Sequence, residues 1–152
     1  MCGYVFVSSR NKKIRPVDPK TLKHRGPDFT KEIDLDWCRL RHWRLSIQDL
    51  TSRSNQPYSK GKDHLIYNGE LYDYHELGYF HFSKKFDSDT QLLFNALKNN
   101  AFDLIKNESG FYSFVFVKEL QKQFFAARDY FGKKPLYFYF DDDLLILASE
   151  DR

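Results

Sequence analysis

Cys2 is the first residue with the chemistry of a catalyst, because removal of the initiator Met1 would make it the N-terminal residue. Its thiol and a free α-amine would then belong to one residue. With pKa values of about 8.5 for the thiol and about 8 for the amine, roughly a tenth of such amines are unprotonated at neutral pH. An N-terminal nucleophile that uses its own amine as base is a known form of covalent catalysis, and it fails if Met1 is retained. The alternative is that Cys2 is a small apolar residue opening a strand.

Four further residues carry groups that fit an amino-acid substrate. The planar guanidinium of Arg44 suits a carboxylate, although a lone arginine is more often a solvated side chain. Asp89 would suit an ammonium, or would only complement a helix dipole for ~0.5 kcal/mol. Asn68 and Gly69 offer an amide and a backbone N–H for an oxyanion. The same pair is also the commonest hairpin turn, so the residues alone leave both readings open.

A second cluster, His24-Arg25-Gly26-Pro27-Asp28, combines turn formers with charge. Gly26 precedes a proline, so its backbone must be extended or strained. Taken alone, the cluster predicts a tight surface turn.

The elements that must position these residues follow from apolar periodicity. Strands are predicted at residues 4–7, 36–47, 65–67, 79–83, 111–117, 123–127, 136–140 and 144–148. Short helices are predicted at residues 16–23, within 70–77, after the capping box Ser88-Asp89-Thr90-Gln91, and at 101–106. The strand at 36–47 should have one face against the core, and residues 65–77 should form a strand, a turn and a helix. Helices in the middle of many antiparallel strands indicate an α+β sandwich.

Composition limits the class of protein. At 152 residues with a formal charge of +3, the chain predicts one packed domain without a strong nucleic-acid or membrane signature. A basic, aromatic-rich nucleic-acid binder stays an alternative on the sequence pI of 8.7. The cysteines, Cys2 and Cys38, form neither a disulfide framework nor a metal-ligand pair, and residues 141–143 predict a hairpin loop rather than a metal site. With no signal peptide or membrane span, we expect a cytoplasmic protein.

Eight short motifs fall in one order along the chain. They are Cys2-Gly3, His24-Arg25-Gly26-Pro27-Asp28, Arg44-Leu45-Ser46-Ile47, Gln56-Pro57, Tyr67-Asn68-Gly69-Glu70, Ser88-Asp89-Thr90, Arg128-Asp129 with Gly132-Lys133-Lys134-Pro135-Leu136-Tyr137, and Ala148-Ser149-Glu150. This order closely resembles the class II glutamine amidotransferase domain of glutamine-hydrolysing asparagine synthetases, over essentially the whole chain.

The resemblance implies an N-terminal nucleophile hydrolase fold, a four-layer αββα sandwich spanning residues 1–152, with the synthetase domain absent. The implied reaction converts glutamine into glutamate and ammonia without a metal or cofactor in this domain. ATP and magnesium are expected on a synthetase partner, either a separate subunit or a missing C-terminal domain. Two alternatives remain: a catalytically weak glutamine-binding regulatory module, and an ammonia donor for a sugar, peptide or modified base.

The resemblance also implies roles for individual residues. Cys2 would attack the amide carbon and hold a thioester, and its amine would relay the proton to the leaving ammonia. Asn68 and the Gly69 N–H would form the oxyanion hole. The Arg25-Gly26 turn would wall the nucleophile.

The remaining implied roles concern glutamine binding. Arg44 would hold the α-carboxylate, with Ile47 in the same substrate pocket. Asp89, helped by Glu70, would hold the α-ammonium. Each supplies a charge or donor that a zwitterionic amino acid requires.

Overall fold

A computed structural model describes residues 1–11, 13–47, 49–106 and 110–151, apart from the side chain of Lys106. The strands are β1 (Gly3–Ser9), β2 (Phe29–Asp34), β3 (Cys38–Arg44), β4 (Tyr58–Lys60), β5 (Asp63–Leu71), β6 (Gly110–Lys118), β7 (Gln123–Arg128), β8 (Tyr137–Phe140) and β9 (Leu144–Ala148). The helices are α1 (Tyr74–Phe82), α2 (Asp89–Lys98) and α3 (Phe102–Lys106).

The strands form two antiparallel sheets that pack face to face. One has the order β2-β3-β1-β9-β8 and the other β4-β5-β6-β7. The core between them contains the buried residues Tyr4, Phe6, Cys38, Leu40, Ile66, Val115, Val117 and Leu147. The expected α+β sandwich of two antiparallel sheets is confirmed.

The helices cover the outer face of the four-stranded sheet, where α2 packs on rings from β5 and β6. This helix begins as its capping box predicts, because the Ser88 hydroxyl accepts a hydrogen bond from the Gln91 N–H at 3.3 Å. Within the described residues, no helix has the length and apolar character needed to cross a membrane.

The outer face of the five-stranded sheet is covered by the segment before β2. Leu22 packs there against Val5 and Trp43, so β3 is buried on both faces and not on one, as the sequence predicted. The helix predicted at residues 16–23 is wrong, since residues 19–25 form successive turns. Pro16 and Pro19 lack backbone N–H groups and restrict the residues before them, which disfavours a regular helix.

The strand predicted at residues 79–83 is also wrong, because these residues belong to α1 and its cap. The aromatic sequence has the composition of a strand, but Gly78 allows the helix to lie directly on Phe86. A Cβ at Gly78 would come within 2.5 Å of that ring. The helix ends at Ser83, which has a left-handed φ of 50° and donates its N–H to the Gly78 and Tyr79 carbonyls.

Candidate active site

The alternation of side chains along three strands brings the predicted residues toward one end of the sandwich. In β3, Arg44 lies four residues after Leu40 and therefore on the same face of the strand, which faces the other sheet. In β5, Asn68 and Glu70 lie on the same face of the strand as Ile66, which also lies between the sheets. Because successive side chains point to opposite faces of a strand, all three project into the space between the sheets.

Cys2 lies one residue before β1 and contacts the chain just after β3. Its Sγ accepts a hydrogen bond from the Leu45 N–H at 3.4 Å and donates one to the Leu45 carbonyl at 3.6 Å. Burial raises the pKa of the thiol, and the charge of Glu70 adds to this, while the Leu45 backbone, the N-terminus and Arg44 oppose it. The thiol is therefore protonated at neutral pH, so it would need a base in order to act as a nucleophile.

The Arg25-Gly26 turn lies against this strand end. A Cβ on Gly26 would fall 2.3 Å from the carbonyl carbon and oxygen of Trp43, so only glycine fits. Arg25 donates from Nε to the Met1 carbonyl at 3.4 Å and from Nη1 to Glu150 at 3.1 Å. The turn therefore contacts the peptide that joins Met1 to the candidate nucleophile.

Asn68 and Gly69 do not form a turn, which corrects the strand, turn and helix predicted there. They lie inside β5, paired with Ser113 and Tyr112 of β6. A Cβ at Gly69 would lie 2.4 Å from the Phe111 carbonyl oxygen, so this glycine is required by close packing of the two strands and not by a turn.

The Gly69 N–H points away from β6, toward the site. The Tyr67 N–H donates to the Gln56 side-chain oxygen at 2.6 Å, and the Leu71 N–H donates to Asp89 at 3.2 Å. Alternate N–H groups of a strand point to the same edge, so the N–H of Gly69 lies between these two and in the same direction. It is placed to donate to a bound group.

The Asn68 side chain is buried, with 1% of its surface exposed. Its Nδ2 has no hydrogen-bond partner among the described residues. A buried amide donor without a partner costs ~1–3 kcal/mol, so its retention favours a role in binding a ligand.

A small cavity opens beside these strands, with a volume of about 40 Å³. That is room for roughly three water molecules. Its lining includes five of the predicted residues and seven others: Arg44, Ile47, Gly69, Glu70 and Asp89, with Leu45, Asp49, Ser54, Gln56, Tyr67, Ser88 and Thr90. The other predicted residues do not line it, namely Cys2, Asn68, Arg25 and Gly26. The Cys2 thiol is hydrogen-bonded to the backbone of Leu45, which lines the cavity.

Arg44 is buried and oriented by the loop that follows it. Its Nη1 donates to the Thr51 carbonyl at 2.7 Å and to the Asn55 side-chain oxygen at 2.6 Å, and its Nη2 donates to the Asp49 carbonyl. These bonds use three of the five guanidinium N–H groups. The loop fixes the guanidinium in the cavity wall, so Arg44 is not a solvated side chain.

Asp89 is a buried carboxylate at the first turn of α2. It accepts hydrogen bonds from the Tyr67 hydroxyl at 2.9 Å, the Leu71 N–H at 3.2 Å, and the N–H and hydroxyl of Thr90. Burial raises its pKa, although these four donors oppose the shift. The arrangement keeps one carboxylate in the cavity wall and also serves the start of the helix.

Glu70 is the second carboxylate in the wall. Burial raises its pKa to about 7, and the nearby charge of Asp89 contributes in the same direction, while Lys134 and the N-terminus oppose it. The cavity therefore presents a guanidinium together with two carboxylates, one of which titrates near neutral pH. That combination is complementary to a zwitterion.

His42 was not singled out by the sequence beyond its place on the inner face of β3. It is fully buried, and burial lowers its pKa to about 3, with Arg44 adding to this effect. Its Nε2 lies 3.1 Å from the Tyr67 carbonyl, so the neutral ring donates there and ties β3 to β5. Gln56 and Tyr67 were missed as lining residues, although both belong to motifs that the sequence displays.

Comparison with known proteins assigns the chain to a family. The whole chain, residues 1–152, matches the family described as glutamine amidotransferase domain. The chain belongs to this glutamine amidotransferase family. Within the described residues, no group of three or more histidine, cysteine, aspartate or glutamate side chains could hold a metal ion.

Curated relatives of this glutamine amidotransferase domain are considerably longer. The amidase chry2 of Gibberella zeae is 35% identical over 137 residues, covering 85% of this chain and 20% of that protein. Glutamine-hydrolysing asparagine synthetases of Sandersonia aurantiaca and Oryza sativa are 32% and 33% identical over 146 residues, covering 90% of this chain and 28% and 25% of theirs. The chain thus spans less than a third of the curated relatives' length.

Proposed function

We propose that this glutamine amidotransferase domain hydrolyses the side-chain amide of glutamine through a thioester on Cys2 once Met1 is removed. The observation that carries the proposal is the cavity that combines Arg44 with the carboxylates of Glu70 and Asp89 and is also lined by Leu45, whose N–H donates to the Cys2 thiol. A guanidinium and two carboxylates in the wall of one cavity match the α-carboxylate and α-ammonium of an amino acid.

The placement of donors and acceptors supports the following reaction. The freed α-amine of Cys2 takes the thiol proton, and the thiolate attacks the amide carbon of glutamine. Asn68 Nδ2 and the Gly69 N–H donate to the oxyanion that forms. The carbon–nitrogen bond then breaks, the ammonium of Cys2 returns the proton to the leaving ammonia, and a thioester remains. Water attacks that thioester, which releases glutamate and restores the thiol.

The ammonia would pass to an ATP-dependent partner, a separate subunit or a further domain of the asparagine-synthetase type. The longer asparagine synthetases among the relatives support this part of the proposal. ATP and magnesium would act on that partner. A non-aspartate acceptor, such as a sugar, a peptide or a modified base, stays an alternative, because the relatives include a protein named as an amidase as well as asparagine synthetases.

The test uses protein whose N-terminus has been checked by mass spectrometry. An electrophilic glutamine analogue should add once, on the N-terminal peptide of protein that has lost Met1, and glutamate should form from glutamine. The Cys2→Ala variant should show neither result, whereas Cys38, which is fully buried, should stay unmodified in both proteins. Processed protein that binds glutamine but forms neither adduct nor glutamate would refute hydrolysis and favour the regulatory module.

A further inference from the structure

The side chain of Arg25 lies against the N-terminal peptide. Its Nε donates to the Met1 carbonyl at 3.4 Å. The Cys2 nitrogen is bonded to the same carbonyl carbon, so bond lengths alone place this nitrogen at most about 6 Å from Arg25 Nε. Removal of Met1 would turn that nitrogen into the α-amine and take away the oxygen that Arg25 contacts. The guanidinium and the new amine are then neighbours.

The position of Arg25 does not depend on Met1. A Cβ on Gly3 would lie 3.0 Å from the Arg25 Cβ, so the start of β1 packs directly on this residue. The Arg25 N–H donates to the Leu22 carbonyl at 3.0 Å, and Gly26 fits closely against the backbone of β3. Because none of these contacts involves Met1, its removal leaves Arg25 beside residue 2.

The charge of Arg25 is only partly compensated. Its side chain is 12% exposed, so solvent screens it weakly, and its Nη1 donates to the Glu150 carboxylate at 3.1 Å. Glu150 is shared, because His24 Nε2 lies 2.9 Å from the same carboxylate. Arg25 Nη2 is buried without a hydrogen-bond partner among the described residues. The loss of Met1 would free Nε as well, which leaves two donor nitrogens for a neighbouring group.

Other charged groups face residue 2 from three further elements. Glu70 of β5 and Arg44 of β3 both act electrostatically on the thiol, and their opposite charges offset each other. Lys134 follows β7, and its Nζ lies 3.2 Å from the Met1 sulfur, an atom that leaves with Met1. Arg25 instead contacts the carbonyl group that is bonded directly to the future amine.

We propose that Arg25 is a positioning residue for the amine base and keeps the α-amine of processed Cys2 largely unprotonated near neutral pH. This inference rests on the proposed function and deepens it. A nearby cation disfavours a second cation, and a guanidinium N–H can donate to the lone pair of a neutral amine but not to an ammonium. Both effects lower the pKa of the amine from its ordinary value of about 8.

The size of the effect decides whether the amine can act as a base. A tenfold increase in the acidity of the ammonium would raise the unprotonated fraction at pH 7 from roughly a tenth to roughly a half. After the amine takes the thiol proton, the resulting ammonium is also a stronger acid, which favours return of the proton to the leaving ammonia.

The first experiment titrates the α-amine in Cys2→Ala protein whose loss of Met1 has been checked by mass spectrometry. The pH dependence of trace labelling by acetic anhydride gives the titration midpoint. Arg25→Gln should move this midpoint upward by about one pH unit. Glu150→Gln should move it downward, because the guanidinium loses its compensating charge but keeps a hydrogen-bond acceptor. Lys62→Gln, which removes the same charge at a lysine that is 60% exposed, should leave it unchanged.

The opposite signs separate an electrostatic role from a structural one. A loosened turn would move the midpoint in the same direction in both variants, whereas losing a cation and losing an anion act in opposite directions. Shifts of the same sign, or an unchanged midpoint in Arg25→Gln, would overturn the proposal. Such a result would leave the proposed hydrolysis standing, because this titration uses no glutamine.

The second experiment measures kcat against pH in processed protein that retains Cys2. Saturating glutamine removes the effect of Glu70 on KM from the comparison. Arg25→Gln should lose about fivefold in kcat at pH 7 and should match the wild type above about pH 9, where the amine is unprotonated in both proteins. An equal loss at every pH would mean that Arg25 serves only the fold, and would contradict the proposal.

Discussion

The Asn68 side chain allows a sharp separation between a catalytic and a structural role. Replacing it with alanine should lower kcat by ~100- to 1,000-fold, corresponding to ~2.7–4 kcal/mol, if its amide donates to the oxyanion. Its Nδ2 has no partner among the described residues, so the variant breaks no hydrogen bond of that nitrogen in the resting protein. Loss of packing lowers the free energy of unfolding, whereas removal of an unsatisfied buried donor raises it, so the net change should stay within ~1 kcal/mol. That change moves the melting temperature by only ~2–4 °C in a chain of this size.

The assay combines initial rates of glutamate formation at saturating glutamine with thermal unfolding of the same preparation. Ser113→Ala is a matched control, because Ser113 is buried directly opposite Asn68 on β6. It should retain kcat within a few fold. If Asn68→Ala keeps kcat within threefold of the wild type, Asn68 is not an oxyanion donor. The same conclusion holds if the loss of kcat is fully explained by a lower fraction of folded protein at the assay temperature.

Three further predictions concern glutamine binding. Arg44→Lys should raise KM ~10- to 100-fold with little change in kcat, because a lysine cannot reproduce the planar fork held by the 49–55 loop; an unchanged KM would exclude carboxylate binding. Asp89→Asn should raise the KM for glutamine and also lower the free energy of unfolding by ~1–3 kcal/mol, because the Asp89 carboxylate accepts four hydrogen bonds. A fall in melting temperature without a change in KM would exclude ammonium binding and leave Asp89 with its role at the start of α2. The pKa of about 7 for Glu70 means that this carboxylate is neutral below that pH, so the KM for glutamine should rise as pH falls through about 7 and should be flat above it. Glu70→Gln should abolish this pH dependence in a series of initial rates measured at different pH values. If the variant keeps the dependence, the assignment to Glu70 is refuted.

The alternation of side chains along β3 could be predicted from the sequence, whereas the contacts around that strand could not. The alternation of β3 was visible in Cys38, Leu40 and His42, and it correctly placed these three side chains on a buried face. It could not reveal that Trp43 is buried as well, since Leu22 arrives from a segment whose turns have no periodic signal. Packing from distant sequence decided that face.

Glycine was the main source of error. Asn68-Gly69 predicted a turn because glycine is common in turns, yet Gly69 is fixed by the carbonyl of Phe111 on the neighbouring strand. Gly78 likewise lies in a helix because Phe86 packs on it, where the aromatic sequence favoured a strand. In both cases the reason is a contact between elements, which a single sequence does not display.

The position of Met1 has a consequence for how the protein must be made. Gly3 already pairs with Trp43, and Met1 contacts Arg25 through its carbonyl and Lys134 through its sulfur. A peptidase would have to reach a residue two positions from a finished sheet, so we expect processing to act on the nascent chain, before β9 closes against β1. A chain that folds first would keep a native-like structure yet lack the proposed amine base. In a mixed preparation, specific activity should therefore follow the matured fraction and not the folded fraction.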